Sequence, residues 1–142
     1  MRKNKFSYLE NLQKMAQGMD SIIFHGRKSL EEMPVYYRQA DAMLVTLMKD
    51  DVISLTLPGK VQTYMAAGKP ILCAADGEAR RTVEEAGCGF AVGAEDAQGL
   101  ARAVERFAQS DWAELGRRSR AYFDAHYQKS MFFDRLEDEL RG

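Results

Sequence analysis

Leu57-Pro58-Gly59-Lys60-Val61-Gln62-Thr63-Tyr64-Met65-Ala66-Ala67-Gly68-Lys69-Pro70-Ile71-Leu72-Cys73-Ala74-Ala75 reads as a turn, a short helix, a second turn and a buried strand. Pro58-Gly59-Lys60 opens a helix from about Val61 to Ala67, because proline suits a first helical turn, and Gly68 closes it. Pro70 to Ala75 is apolar throughout, as expected of a strand covered on both faces. Upstream, Ala42-Met43-Leu44-Val45-Thr46-Leu47 is a second run of the same kind. Met48 to Leu57 has no clear period and reads as a loop. Strand, helix and strand at this spacing make a parallel β-α unit.

The pattern continues on both sides. Downstream, Asp76 is placed to cap a helix through Glu85, with Gly87 as its terminator, and Gly89-Phe90-Ala91-Val92 is a short last strand. Upstream, Tyr8, Leu9, Leu12, Met15 and Ala16 recur at helical spacing before Gly18. Ser21-Ile22-Ile23-Phe24-His25 is a β-rich run ending at Gly26. Ser29-Leu30-Glu31-Glu32 fits a capping box, but Pro34 moves the expected helix start towards itself, with the helix running to about Ala40. Beyond Asp96 the chain is helical. Leu100, Ala103, Val104, Phe107 and Ala108 form one stripe. Asp111-Trp112-Ala113-Glu114 starts a helix to about His126, and Tyr127 to Leu140 a last one. The expected fold is a Rossmann-like, doubly wound α/β parallel sheet of about four strands with a helical C-terminal segment. In such sheets ligands lie beyond the carboxyl ends of the strands. The loops to watch are Gly26 to Ser29, Met48 to Lys60 and Asp76 to Glu78.

Composition narrows the function. The 142 residues suit one domain, and 46% of them are hydrophobic. Twenty Lys+Arg against 21 Asp+Glu give a formal charge of −1, without the basic excess of a general nucleic-acid binder. High apolar content and low net charge exclude disorder. No apolar run approaches the ~20 residues of a membrane span, and the basic Met1 to Lys5 segment is not followed by a signal-peptide core. Cys73 and Cys88 make neither a disulfide framework nor a zinc site. A cytoplasmic protein with reduced thiols is expected, needing no metal and no cofactor. Cys73, in a core strand, suits packing better than nucleophilic attack.

The first amides of a helix have no partners within it, and the dipole there is positive. Gly59 lets a ligand approach the backbone, and Lys60 adds a full charge. Together they would seat a diphosphate. An ordinary helix start with a solvated lysine has the same local sequence, and Pro-Gly-Lys alone does not separate the two.

The stretch from Leu57 to Ile71 resembles a segment of retaining glycosyltransferases of family four, where Pro-Ser-Lys precedes a helix ending Tyr-Met-Ala-Ala-Gly-Lys-Pro and then a strand. Ile22-Ile23-Phe24-His25-Gly26-Arg27 is similar to the family's apolar strand and glycine loop. Glu32 to Ala42 is similar to its helix ending in Ala-Asp. Gly77-Glu78 and Glu84 to Val92 are similar to its next helix and last strand. The match runs in order from about Phe6 to Phe107. Within the family it is nearest to capsule or O-antigen enzymes.

The resemblance implies a GT-B enzyme, of which this single partial domain would be part of the nucleotide-sugar-binding half, the acceptor domain being absent. The ligand would be a nucleotide-diphosphate sugar, uridine diphosphate being the commonest carrier. Gly26 and Arg27 would lie near the base, Leu57, Pro58, Gly59 and Lys60 would hold the diphosphate, and Thr63 would face the ribose. Lys60 is the candidate catalytic residue, stabilising charge on the leaving diphosphate. Glu78 either touches the donor sugar or is a first-turn carboxylate suited to the helix dipole.

Two departures stand out. Many relatives carry Glu-x7-Glu where this chain has Leu55 and Thr63, neither acidic. A complete relative also has roughly 200 more residues, about one further domain and part of this one. A fragment of that kind would expose apolar surface and would be expected to self-associate and to be inactive alone. A phosphoacceptor signalling domain is the rival from another class, on the strength of Asp50-Asp51 after a strand and of Lys69-Pro70. The order of those features along the chain is wrong for it. A non-catalytic oligomerising module is the third reading.

Overall fold

The computed structural model describes residues 5–128 and 140–141. The helix expected from Tyr127 to Leu140 therefore lies largely outside the described residues. By internal contacts the chain divides into two compact units, Met1–Met33 and Pro34–Gly142.

The first unit holds helix α1 (Lys5–Met15), followed by a turn through Gly18. The apolar positions that predict α1 are exposed: Tyr8, Leu9, Leu12 and Met15 all keep a large share of their surface in solvent. Ser21 to His25 forms no strand, which corrects the expectation of about four strands to three among the described residues. A β-rich composition supplies side chains for a sheet, but a strand exists only where another strand takes its N–H and C=O groups. Ile22, Ile23 and Phe24 remain exposed.

Helix α2 (Met33–Gln39) begins at the boundary, with Pro34 in its first turn as expected. The reciprocal half of the capping box is present upstream, where the Ser29 amide donates to Glu32 Oε2 at 2.9 Å. The second unit continues with β1 (Met43–Thr46), α3 (Asp51–Ser54), α4 (Gly59–Ala66), β2 (Ile71–Ala74), α5 (Gly77–Ala86), β3 (Gly89–Val92), α6 (Ala97–Ala108) and α7 (Trp112–His126). The strands form a parallel sheet in the order β1-β2-β3, with Met43 beside Ile71 and Ile71 beside Gly89. The fold is α/β with helices on both faces, the arrangement of part of a Rossmann-like GT-B domain.

Two buried clusters sandwich the sheet. Val45, Ile71 and Cys73 face Val61 and Met65 of α4 and Ala79 and Val83 of α5. Leu72 faces Ala103 and Phe107 of α6 and Leu115 of α7, with Phe90 and Val92 alongside. Complete burial of residues such as Val61, Met65, Ile71 and Val83 is worth about 1.5–3 kcal/mol each. β2 is buried at every position. β1 is not, which corrects the expectation of two covered faces: Leu44 is 54% exposed and Thr46 is also exposed. The reason is local, since α6 packs chiefly on β2 and β3.

The segment expected to be a loop contains α3, a single turn. Asp50 caps it, its Oδ1 accepting from the Val52 and Ile53 amides at 2.8 and 3.0 Å. One turn is too short to develop an apolar period, so only its cap signals it. The caps expected at Asp96 and Asp111 are both present, accepting from the Gly99 and Glu114 amides. Gly87 ends α5 in the left-handed conformation, φ 63°.

Candidate functional site

The parallel strands end at Thr46, Ala74 and Val92, and the starts of α3, α4, α5 and α6 gather along that carboxyl edge. At the start of α4, Pro58 occupies the cap position with extended backbone (φ −63°, ψ 142°) and no side chain accepts from the first turn. The Val61 amide turns back to the Pro58 carbonyl at 3.1 Å. The Gly59 and Lys60 amides have no partner among the described residues. Space in front of them is open: a Cβ placed on Gly59 would meet nothing within 4 Å. Lys60 is exposed, with no ion pair among the described residues.

Leu57 anchors this turn by packing against the main core cluster. Thr63 lies one turn on and is exposed; its hydroxyl donates to the Gly59 carbonyl at 3.1 Å, which leaves the oxygen free to accept a further hydrogen bond. Leu55 is 77% exposed and offers only backbone polarity. Leu57, Pro58, Gly59, Lys60 and Thr63 thus form one continuous surface.

Glu78 stands on the next helix. Gly77, at the head of α5, has φ 67°, and a Cβ there would overlap the Ser54 carbonyl. Only glycine combines that dihedral with so close a backbone approach. The contact holds the start of α5 against the segment that leads into α4. Both Glu78 carboxylate oxygens are taken by Arg81, at 3.0 Å to Nε and 2.7 Å to Nη2. This hydrogen bonding holds its carboxyl below the usual glutamate range. A sugar hydroxyl at Glu78 would have to share an oxygen with the guanidinium.

Gly26 and Arg27 belong to the first unit. There they line a cavity of about 590 Å³ with Leu9, Gln13, Ile23, Phe24 and His25. Its wall is mostly apolar, with the Gln13 amide, one guanidinium and one imidazole as its polar side chains.

Several polar residues have structural roles that sequence reasoning missed. Lys69 donates to the Ala40 carbonyl at 2.9 Å and the Arg38 carbonyl at 3.3 Å, closing the carboxyl end of α2. Arg120 of α7 donates to Ala66 at the end of α4, at 2.6 Å. Cations near helix carboxyl ends are the available signal for such contacts, but their partners lie 29 and 54 residues away. Asp50 is engaged as a cap, and Lys69 as a helix-end donor, so neither is arranged as a phosphoacceptor pocket. Cys73 and Cys88 are fully buried, and burial raises both thiols to a pKa of about 11. They are packing residues, not nucleophiles. Among the described residues no His, Cys, Asp or Glu cluster is arranged to hold a metal ion, and no helix is long and apolar enough to cross a membrane.

Residues 3–110 match the family described as Glycosyl transferases group 1. The chain belongs to that family. No curated protein and no solved structure gave a match. Glycosyl transfer is the chemistry of the group 1 glycosyl transferases, and the matched span takes in the open turn at the start of α4 and the first turn of α5.

Proposed function

We propose that this group 1 glycosyltransferase chain belongs to the nucleotide-sugar-binding half of a retaining family-four GT-B enzyme. In this reading the protein works in the cytoplasm and passes a hexosyl or acetamidosugar residue from a nucleotide-diphosphate donor to a polysaccharide or glycolipid acceptor. The enzymes it resembles are those of capsule and O-antigen synthesis. The observation that carries the proposal is the uncapped start of α4: two amides and a lysine without partners among the described residues, and a glycine facing open space. Charge develops on the diphosphate as the donor's glycosidic bond breaks. Amides already aimed at that group, with a cation beside them, stabilise the transition state without rearranging.

In this reading Lys60 acts on the leaving diphosphate, Leu57, Pro58 and Gly59 shape the turn that holds it, and Thr63 accepts from a ribose hydroxyl. Gly26 and Arg27 serve the base, and Glu78 serves the sugar through the oxygen edge it shares with Arg81. In this reading the chain alone is inactive in transfer. The uncovered Leu44 face of β1, with Met48 and Val52 exposed beyond it, favours a homo-oligomer, which light scattering across a concentration series would detect.

Calorimetric titration tests the central point. Uridine diphosphate is expected to bind and uridine to bind at least tenfold more weakly, about 1.4 kcal/mol of diphosphate recognition. Lys60→Ala should remove most of that difference. Equal affinity for uridine and its diphosphate, or an unchanged Lys60→Ala titration, would sink the assignment of this turn.

A further inference from the structure

Asp76 has the backbone and the position of a helix cap, but its side chain is used elsewhere. It sits before α5 with φ −102° and ψ 170°, the extended conformation of a capping residue, and makes no cap hydrogen bond. Its Oδ1 instead accepts from the Ala94 amide at 3.1 Å, across 18 residues. Asp50, Asp96 and Asp111, in the same place before α3, α6 and α7, each accept from their own helix. Asp76 therefore joins the turn after β2 to the turn after β3. Its neighbour Gly77 joins the turn after β2 to Ser54, where the chain turns towards Pro58 and Gly59. The two residues link all three turns of the carboxyl edge.

We infer that Asp76 is a positioning residue for the Gly59–Lys60 turn: by fixing the Asp76-Gly77 turn against Ala94, it fixes the Ser54 backbone that Gly77 supports. The inference rests on the diphosphate reading of that turn for its functional consequence, and on geometry alone for its structural one. The carboxylate acts as an acceptor of one hydrogen bond, so its charge is not required and asparagine can replace it. Alanine cannot, and without the link the Gly77–Ser54 contact is free to shift.

The test compares Asp76→Ala with Asp76→Asn in the chain as it stands, by two measurements. Amide hydrogen exchange over 54–56, whose amides donate to the Asp50, Val52 and Ile53 carbonyls, needs no ligand. Asp76→Ala is expected to speed exchange there about tenfold, the loss of one hydrogen bond, and Asp76→Asn to restore the original rate. Titration with uridine diphosphate should show an affinity loss of about tenfold for Asp76→Ala, recovered in Asp76→Asn. Faster exchange confined to 93–96, with 54–56 unchanged, would overturn the inference by making Asp76 a purely local strut. So would an alanine variant that binds uridine diphosphate as the parent does. If the parent itself binds none, the diphosphate reading fails while the exchange measurement still decides the role of Asp76.

Discussion

At its carboxyl end α4 gives the Ala66 carbonyl to the guanidinium of Arg120, whereas at its amino end Pro58 offers the leading amides no side-chain acceptor. α5 repeats the asymmetry. Its last turn closes on Gly87, whose carbonyl faces Arg118 Nη1 at 3.5 Å, while Asp76 turns away from its first turn. α2 is closed at the same end by Lys69. The unmet carbonyls of these helices are supplied by cations from distant parts of the chain, and α7 carries two of those cations. Among the described residues the first amides of α4 and α5 take no side-chain cap, and they lie at the carboxyl edge, where open α/β sheets generally take their ligands. A chain that caps α3, α6 and α7 with aspartate does not lack capping chemistry. The open ends are places where a side chain is missing or is occupied elsewhere.

The largest effect is expected where the open edge is held together by backbone. Gly77→Ala would force a left-handed non-glycine residue and drive a methyl group into the Ser54 carbonyl. Strain and overlap together should destabilise by about 3 kcal/mol or more. Urea unfolding measures it, and a loss below about 1 kcal/mol would mean that the three turns are not locked through this contact. At the closed end, Arg120→Ala should cost about 1 kcal/mol through the Ala66 hydrogen bond, since the guanidinium is half exposed and partly screened. No measurable loss would reduce Arg120 to a solvated surface charge paired with Asp124.

Closure can also be read through the thiols. Cys88 directly follows the Gly87 turn and Cys73 lies beneath α5, both raised to a pKa of about 11 chiefly by burial. Unfolded thiols titrate near 8.5. Between those values the unfolded chain has lost protons that the folded chain retains, so stability should hold below about pH 8.5 and fall as pH rises towards 11. Thermal melts from pH 7 to 10.5 should show the decline. A Cys73→Ala/Cys88→Ala protein that declines as steeply would assign it to other groups. In the folded parent neither thiol should react with a small alkylating reagent at pH 8.

How much of this could be read from the sequence followed the range of the interaction concerned. The α6 and α7 starts were legible because Asp96 and Asp111 bond three residues on, and the α5 end because Gly87 acts on its own turn. The open start of α4 was legible too, since Pro58 and Gly59 carry no side-chain acceptor. Ser21 to His25 misled because its composition is local but a strand partner is not. Leu44 misled because the apolar run records what can be buried, and the helices that pack chiefly on β2 and β3 decide what is. Asp76 carried a true capping signature, and a hydrogen bond spanning 18 residues overrode it. The Gly77–Ser54 approach left no mark beyond one glycine among eleven.

The smallest effect is the most discriminating of these comparisons. A lysine at the amino end of a helix sits on the unfavourable side of the dipole, and alanine is the better helix former. Arg120 at the opposite end has the dipole in its favour. With no anion present, Lys60→Ala should therefore be neutral or stabilising by a few tenths of a kcal/mol, opposite in sign to Arg120→Ala. Addition of pyrophosphate should reverse the order: the parent gains stability in proportion to occupancy, and the variant gains less. Thermal melts with and without pyrophosphate, at low and high salt, separate the cases, because a seat made of amides and one cation weakens as salt screens the charge. A Lys60→Ala protein that is clearly less stable than the parent without any anion would show that the lysine already has a partner in the folded chain. The amino end of α4 would then be closed like the other, and the contrast between the two ends would disappear.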